Sequence, residues 1–315
     1  SKAFDRINHC KLFCKLLDRG IPTIAVRLFC NWYRTQQFSV QWVSSLSEGF
    51  LVSNGVRQGG ILSPVLFNVY IDDLSKGLTN LNIGCNFNGV YINHLVYADD
   101  TVLLGASPAA LQQLIDYCVK FAGDNEIFYN LKKTKCMCIR PKGMKDLYFP
   151  KLYLLEKVVQ VVDNEKYLGS FICNDLSDDD DIIRQMRSIY GRGNILIRNF
   201  RNCSDSIKTM LFKTYCTGLY GSSLWCSYKV KSLQKIKVAY NNVFRILMGL
   251  PRQGSVSKAM LDVNIDCFPV VCRKYMVGFI SRLDKCDNVV VKTLYDWIDF
   301  RNSPLLKTWI VKAYC

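Results

Sequence analysis

The run Leu95-Val96-Tyr97-Ala98-Asp99-Asp100-Thr101-Val102-Leu103-Leu104 sets two adjacent carboxylates between apolar flanks. Apolar residues on either side predict short strands, which puts the two acids at a tight hairpin turn. Neighbouring carboxylates on rigid backbone repel each other unless a cation lies between them. They are the ligand type needed for nucleotidyl transfer with two Mg²⁺ about 3.5–4 Å apart, one activating a 3′-hydroxyl and the other steadying the leaving pyrophosphate. Standing alone, the pair reads equally well as an ordinary Asp-rich turn. A second run, Ser53-Asn54-Gly55-Val56-Arg57-Gln58-Gly59-Gly60-Ile61-Leu62-Ser63-Pro64, places three glycines and an Arg-Gln pair ahead of a helix. Glycines let backbone approach a substrate closely, and a helix N-terminus favours phosphate. Gln58 can hydrogen-bond an incoming nucleotide, and Arg57 can meet template or phosphate. Alone, this run also reads as a Gly-rich turn into a helix.

The elements that must position these residues punctuate clearly. Leu12, Phe13, Leu16 and Leu17 fall at helical spacing and stop at Gly20, and Pro22 opens a second helix with Leu28, Phe29 and Trp32 on one face. Phe38, Val40 and Trp42 alternate with polar residues, and Phe50 and Val52 answer beyond a Ser-rich turn, predicting a hairpin. Ser63-Pro64 reads as N-cap and first helical residue; Ser107-Pro108 repeats the signature for a helix ending at Gly123. Residues 83–104, 134–139 and 152–172 read as short β segments. The order β–α–β–β–α–β predicts an α+β fold built on a split βαβ antiparallel sheet. After Cys173, amphipathic helical pattern dominates, led in by Ser177 and the four aspartates 178–181. Two domains are expected, 1–172 and 173–315.

Charge divides along the same line. Residues 186–315 hold 21 Lys+Arg against 7 Asp+Glu, whereas residues 1–185 are nearly neutral, within a total of +15. A neutral front that hosts chemistry and a basic back suit an enzyme that holds a polyanion. The 15 cysteines are scattered, form no C-x-x-C pair and have only His9 and His94 as further zinc ligands, so free thiols in a reducing compartment are expected. No window approaches the roughly 18 apolar residues of a membrane span, and the expectation is a protein without a secretory signal. The expected location is intracellular, nuclear or cytoplasmic.

Taken with Ser1-Lys2-Ala3-Phe4-Asp5, the two motif runs resemble the palm motifs of non-LTR retrotransposon reverse transcriptases. That resemblance implies a right-hand polymerase palm followed by a mostly helical, basic thumb. It implies RNA-directed DNA polymerase activity, adding dNTPs to a primer 3′-OH, with Mg²⁺ as cofactor and Mn²⁺ as the alternative. The implied partners are an RNA template, a DNA primer, the RNA–DNA duplex and dNTPs. Asp99 and Asp100 match the catalytic, metal-binding carboxylates of the family. Phe4 matches the aromatic that blocks a ribose 2′-OH, with Ala3 beside it, and Arg57, Gln58 and Gly59 lie in the nucleotide-positioning motif. Asn130-Leu131-Lys132-Lys133-Thr134-Lys135 is similar to the following motif, Lys133 being the residue matched to the leaving pyrophosphate. Tyr167-Leu168-Gly169 resembles the primer-grip turn. Asp5 resembles the second acidic position of the first motif, which is not a metal ligand. The family pattern sets its first metal-binding aspartate two residues before Ser1, so a truncated fragment, inactive by itself, is expected.

Other features invite plainer readings. Asp72-Asp73 reads as surface acid, aspartates 178–181 as a helix cap, and His94 as packing. Trp225, Tyr228, Tyr240 and Phe244 read as core, with Lys229, Lys231, Lys235, Lys237 and Arg245 on the opposite face as phosphate contacts. Three rivals stay open: a group II intron maturase-like or telomerase-like enzyme, a catalytically dead nucleic-acid-binding remnant, and an interaction protein with a basic helical domain.

Overall fold

The computed structural model describes residues 3–87, 89–140 and 149–296. Ser1 and Lys2 of the opening motif lie outside the described residues. The chain divides into two compact units, Ser1–Cys136 with Tyr148–Gln160, and Met137–Leu147 with Val161–Cys315.

In the first unit, a short 3-10 turn at Phe4–Arg6 leads into α1 (His9–Asp18), which Asn8 caps by accepting from Lys11 N. Gly20, at φ +74°, ends that segment. Helix α2 (Thr23–Thr35) follows, but its buried residues are Val26 and Tyr33. Leu28 is 66% exposed and Trp32 50%, so of the expected face of Leu28, Phe29 and Trp32 only Phe29 packs against the core. The alternation at 37–52 folds as foreseen: Phe38 pairs with Phe50 and Gln37 with Leu51, enclosing a second ribbon in which Trp42 pairs with Ser45.

Helix α3 (Ser63–Asn80) and helix α4 (Pro108–Asn125) form the frame of this unit. Leu74 and Leu78 of α3 pack with Leu114, Cys118 and Phe121 of α4 in one buried cluster. Ser107 caps α4 by accepting from Ala110 N, as its sequence predicts. The helix outruns the expected end at Gly123 because Glu126 takes the left-handed conformation and its N–H reaches Ala122 O. Ser63 departs from its expected role. It is the first residue of α3, after an N-cap at Leu62, and its hydroxyl donates back to the Arg57 carbonyl.

The strands do not assemble into the expected split βαβ sheet. Among the described residues every sheet has two strands only. Such ribbons are marginal alone and here lean on helices: Tyr153 exchanges two hydrogen bonds with the Gln112 side chain of α4.

Within the second unit, Asn164–Tyr167 and Ser170–Cys173 pair as a hairpin ahead of the helices. The hairpin therefore belongs with the helices, and the compact division falls ahead of residue 172. Helices α5 (Asp179–Phe200), α6 (Asp205–Cys216), α7 (Val230–Leu247), α8 (Val256–Asp262), α9 (Phe268–Asp284) and α10 (Val289–Asp296) follow. Trp225, Tyr240 and Phe244 are buried in their common core, as expected. Gly193 lets α5 approach α7 closely, since a Cβ there would stand 2.4 Å from Val243 Cγ1. None of the described helices is long and apolar enough to cross a membrane.

Candidate active site

The acidic pair sits where the sequence places it. His94–Tyr97 pairs with Asp100–Leu103, and Tyr97 faces Asp100 across a two-residue turn of Ala98 and Asp99. Ala98 adopts φ +51°, a left-handed conformation that non-glycine residues seldom take. The base of the hairpin is tied to α3 through Asn93, whose side chain donates to Leu78 O at 2.6 Å, and through His94, which meets Ser75 Oγ at 2.6 Å. Burial lowers the His94 pKa, and both ring nitrogens are engaged, the second by Asn93 Oδ1. His94 is a packing residue, as foreseen. Asp99 and Asp100 are exposed and, among the described residues, have no ion-pair or side-chain hydrogen-bond partner. By contrast, Asp72 is held by Arg19 and Lys76, and Asp73 by Lys15. The Lys76 hydrogen bond leads the causes that hold the Asp72 carboxyl below the usual range.

The opening motif and the Gly-rich loop are brought together. Val56 N donates to Phe4 O at 2.7 Å and Gly55 N to Ile7 O at 2.8 Å. A Cβ on Gly55 would lie 2.7 Å from Asp5 Cα, and Gly55 has φ +91°, so only glycine permits this approach. His9 Nε2 meets Gly55 O at 2.7 Å. The Phe4 ring stacks on Phe67 of α3, with centroids 4.6 Å apart and planes within 8°. Gln58 Nε2 donates to Asp5 Oδ1 at 2.9 Å. Ala3 is half-buried, its carbonyl accepting from Arg6 N. Arg57 is exposed, and Gly59 has φ +80° with open space where a Cβ would project.

Lys133 lies in a turn built by Asn130, whose carbonyl and side-chain oxygen both accept from the Lys133 amide. Leu131 anchors the turn in a cluster with Ile115 of α4, which Leu103 of the acidic hairpin also joins. Three residues before Asn130, the chain packs Ile127 beneath α1 and α3, and Phe128 receives Arg6 over its ring at 4.5 Å. Helices α3 and α4 thus carry the acidic hairpin, the Phe4–Gly55 junction and the Lys133 turn on one frame. Hydrogen bonds join Phe4 and Asp5 to the Gly-rich loop; among the described residues none joins Asp99 or Asp100 to either.

Carboxylate oxygens suit a hard divalent cation such as Mg²⁺, and Asp99 and Asp100 offer them free. No cluster of three or more His, Cys, Asp or Glu converges among the described residues, so the ligand set there is partial.

In the second unit, Leu168 and Gly169 form the turn of the Asn164–Cys173 hairpin, at φ +45° and +87°. The aspartate run beside it stands at the start of α5 as expected, with Asp178 at the N-cap and Asp179, Asp180 and Asp181 in the first turn, where negative charge complements the helix dipole. What it lacks is a side-chain capping hydrogen bond; the Asp178 carboxylate accepts from Cys226 N and Ser227 N. Asp179 accepts from Lys229 N, Asp180 from Asn164, and Asp181 from Phe171 N and Trp225 Nε1.

Residues 1–172, more than half the chain, match the protein family described as reverse transcriptase (RNA-dependent DNA polymerase). The chain belongs to the reverse transcriptase family. Its similarities point to non-LTR retrotransposons. It is 33% identical over 143 residues to the Retrovirus-related Pol polyprotein from type-2 retrotransposable element R2DM of Drosophila melanogaster, covering 45% of this chain and 13% of that protein. It is 29% identical over 178 residues to the Pol polyprotein of a type-1 retrotransposable element R2 of Nasonia vitripennis, covering 53% and 17%. A probable RNA-directed DNA polymerase from transposon X-element of Drosophila melanogaster is 25% identical over 264 residues, 79% of this chain and 27% of that protein. The chain therefore spans less than a third of the length of these relatives. Sequence reasoning missed the supporting residues Phe67 and Phe128. Phe67 was legible as an apolar position on α3, but its partner was not.

Proposed function

We propose that this chain supplies the nucleotide-handling part of an RNA-directed DNA polymerase that extends a DNA primer on an RNA template. The observation that carries the reading is the Tyr97–Asp100 turn, two carboxylates without a side-chain partner among the described residues, on a hairpin braced by α3, in a chain that matches the reverse transcriptase family. Asp99 and Asp100 would hold Mg²⁺, which when bound neutralises the triphosphate and activates the primer hydroxyl.

The chain's own groups do the rest. Phe4, backed by Phe67, closes the sugar side of the pocket against a 2′-hydroxyl. Gln58, held by Asp5, orients the incoming nucleotide, and Gly59 leaves room for it. Arg57 offers an uncommitted guanidinium to phosphate. Lys133 neutralises charge on the leaving pyrophosphate and can protonate it. Tyr167, Leu168 and Gly169 hold the primer end. The helical unit grips the RNA–DNA duplex through phosphates, reading shape more than sequence.

The test is RNA-templated primer extension with Mg²⁺ by a polypeptide containing these residues, beside its Asp99→Ala variant. Incorporation that falls at least about a hundredfold in the variant supports the reading. Incorporation independent of Asp99 sinks it.

A further inference from the structure

The turn at Leu168–Gly169 is held by a network of residues that lie outside the motif runs. Both turn residues have positive φ, the pattern of a two-residue hairpin turn with left-handed central residues. Tyr220 Oη donates to Leu168 O at 2.7 Å. A Cβ on Gly169 would stand 3.2 Å from the Tyr220 ring, so the ring lies directly against the turn. The next residue presses on the same place: Gly221 has φ +84°, and a Cβ there would meet Ser170 Oγ at 2.8 Å.

Tyr220 is held in turn. Its carbonyl accepts from Arg184 Nη2 at 3.1 Å. The Arg184 guanidinium grips Asp181 through Nε at 2.6 Å and Nη2 at 3.2 Å, a two-pronged pair that fixes both partners. Asp181 is 3% exposed and also accepts from Phe171 N, within the second strand of the hairpin, and from Trp225 Nε1. One buried carboxylate thereby joins the hairpin, α5 and the 218–225 segment.

We propose that Tyr220, fixed by the Asp181–Arg184 pair, is a positioning residue that sets the Leu168–Gly169 turn for the 3′-terminal nucleotide of a primer. This rests on the reading of that turn as the primer grip. Tyr220 is 60% exposed, so losing its hydroxyl leaves the buried core untouched and the effect is confined to the turn.

The experiment compares the full chain with Tyr220→Phe for binding of two probes: a 3′-recessed RNA–DNA primer–template, and a closed RNA–DNA duplex with no free 3′ end. The phenylalanine keeps the ring against Gly169 and removes one hydrogen bond. Affinity for the recessed probe should fall about 5- to 10-fold, the loss of one such bond, with the closed duplex and the melting temperature unchanged. Hydrogen exchange at Phe171 and its neighbours should quicken in the variant. Equal affinity for the recessed probe in both proteins overturns the proposal while leaving the primer-grip reading standing. A wild-type chain that binds both probes alike overturns the primer grip itself, and the proposal with it. Asp181→Asn is the second variant: it should reproduce the recessed-probe loss, and a variant that stays folded without that loss also counts against the proposal.

Discussion

Gln58 Nε2 donates to Asp5 Oδ1 at 2.9 Å, tying the second acidic residue of the opening motif to the glutamine of the Gly-rich loop. The two are 53 residues apart in sequence, and the bond fixes a side chain whose free rotation would otherwise be lost only when nucleotide binds. Asp5→Ala should therefore raise the KM for dNTP roughly 3- to 10-fold in primer extension, with kcat little changed. Asp5→Asn retains the acceptor oxygen and should stay within about twofold. An alanine variant with unaltered KM would show that Gln58 is not prepositioned by Asp5.

Gly55 and Gly59 share a left-handed backbone but not a neighbourhood. Alanine at Gly59 meets nothing within 4 Å and pays only the conformational penalty, about 1 kcal/mol. Alanine at Gly55 drives a Cβ to 2.7 Å from Asp5 Cα and 2.8 Å from Phe4 O, which are backbone atoms that cannot swing aside. Urea unfolding should show Gly55→Ala losing about 2–4 kcal/mol and Gly59→Ala about 1. Equal losses would mean that the Phe4–Gly55 junction is looser than the geometry shows.

How much of this was legible follows from how local each signal is. The acidic turn, the Ser107 cap and the Gly20 stop are written in adjacent residues, and each stands where the sequence predicts. The misses involve partners far along the chain. Ser63 has the identity and place of an N-cap, yet its hydroxyl is drawn to the Arg57 carbonyl by the tight Gly59-Gly60 turn. Aspartates 178–181 stand where a dipole-complementing cap should, but their side chains also tie α5 to the 225–229 stretch and to the 164–173 hairpin, partners the sequence does not name. The Leu28, Phe29 and Trp32 stripe has the spacing of a core face, yet only Phe29 packs there, and full burial went to Val26 and Tyr33 because α1 and α3 supply neighbours on that side. Periodicity tells that a stripe exists and leaves its partner unnamed.

The aspartate run makes a pH prediction. Burial alone would raise the Asp179 pKa; hydrogen bonds from Ser232, the Lys229 amide and Ser177 outweigh it, and the carboxyl is held below the usual range. A depressed folded-state pKa stabilises fully above the unfolded value, near 4. That stability is lost as pH falls through the folded value. Asp179→Asn should thus lower the urea midpoint at pH 7 and at pH 5 equally, and the gap from wild type should narrow by pH 3. A gap independent of pH would assign the effect of the variant to packing instead of charge.

The two faces of α7 answer to different forces. Tyr240 and Phe244 are fully buried, whereas Lys231 and Lys235 are exposed and, among the described residues, make no ion pair. Uncommitted cations on an outward face keep their full attraction for phosphate, and each phosphate they neutralise releases a counterion, so affinity falls with salt. Changing both lysines to glutamine should weaken binding of an RNA–DNA duplex at low salt. It should also flatten the plot of log affinity against log salt by about 0.7–0.9 for each phosphate no longer neutralised. The melting temperature should not move, because exposed substitutions of this kind stay within about 0.5 kcal/mol. If affinity falls while the slope is unchanged, the lysines act on something other than phosphate; if neither changes, the duplex is held elsewhere on the helical unit, and Arg252 and Lys258 are the next exposed cations along the chain to replace.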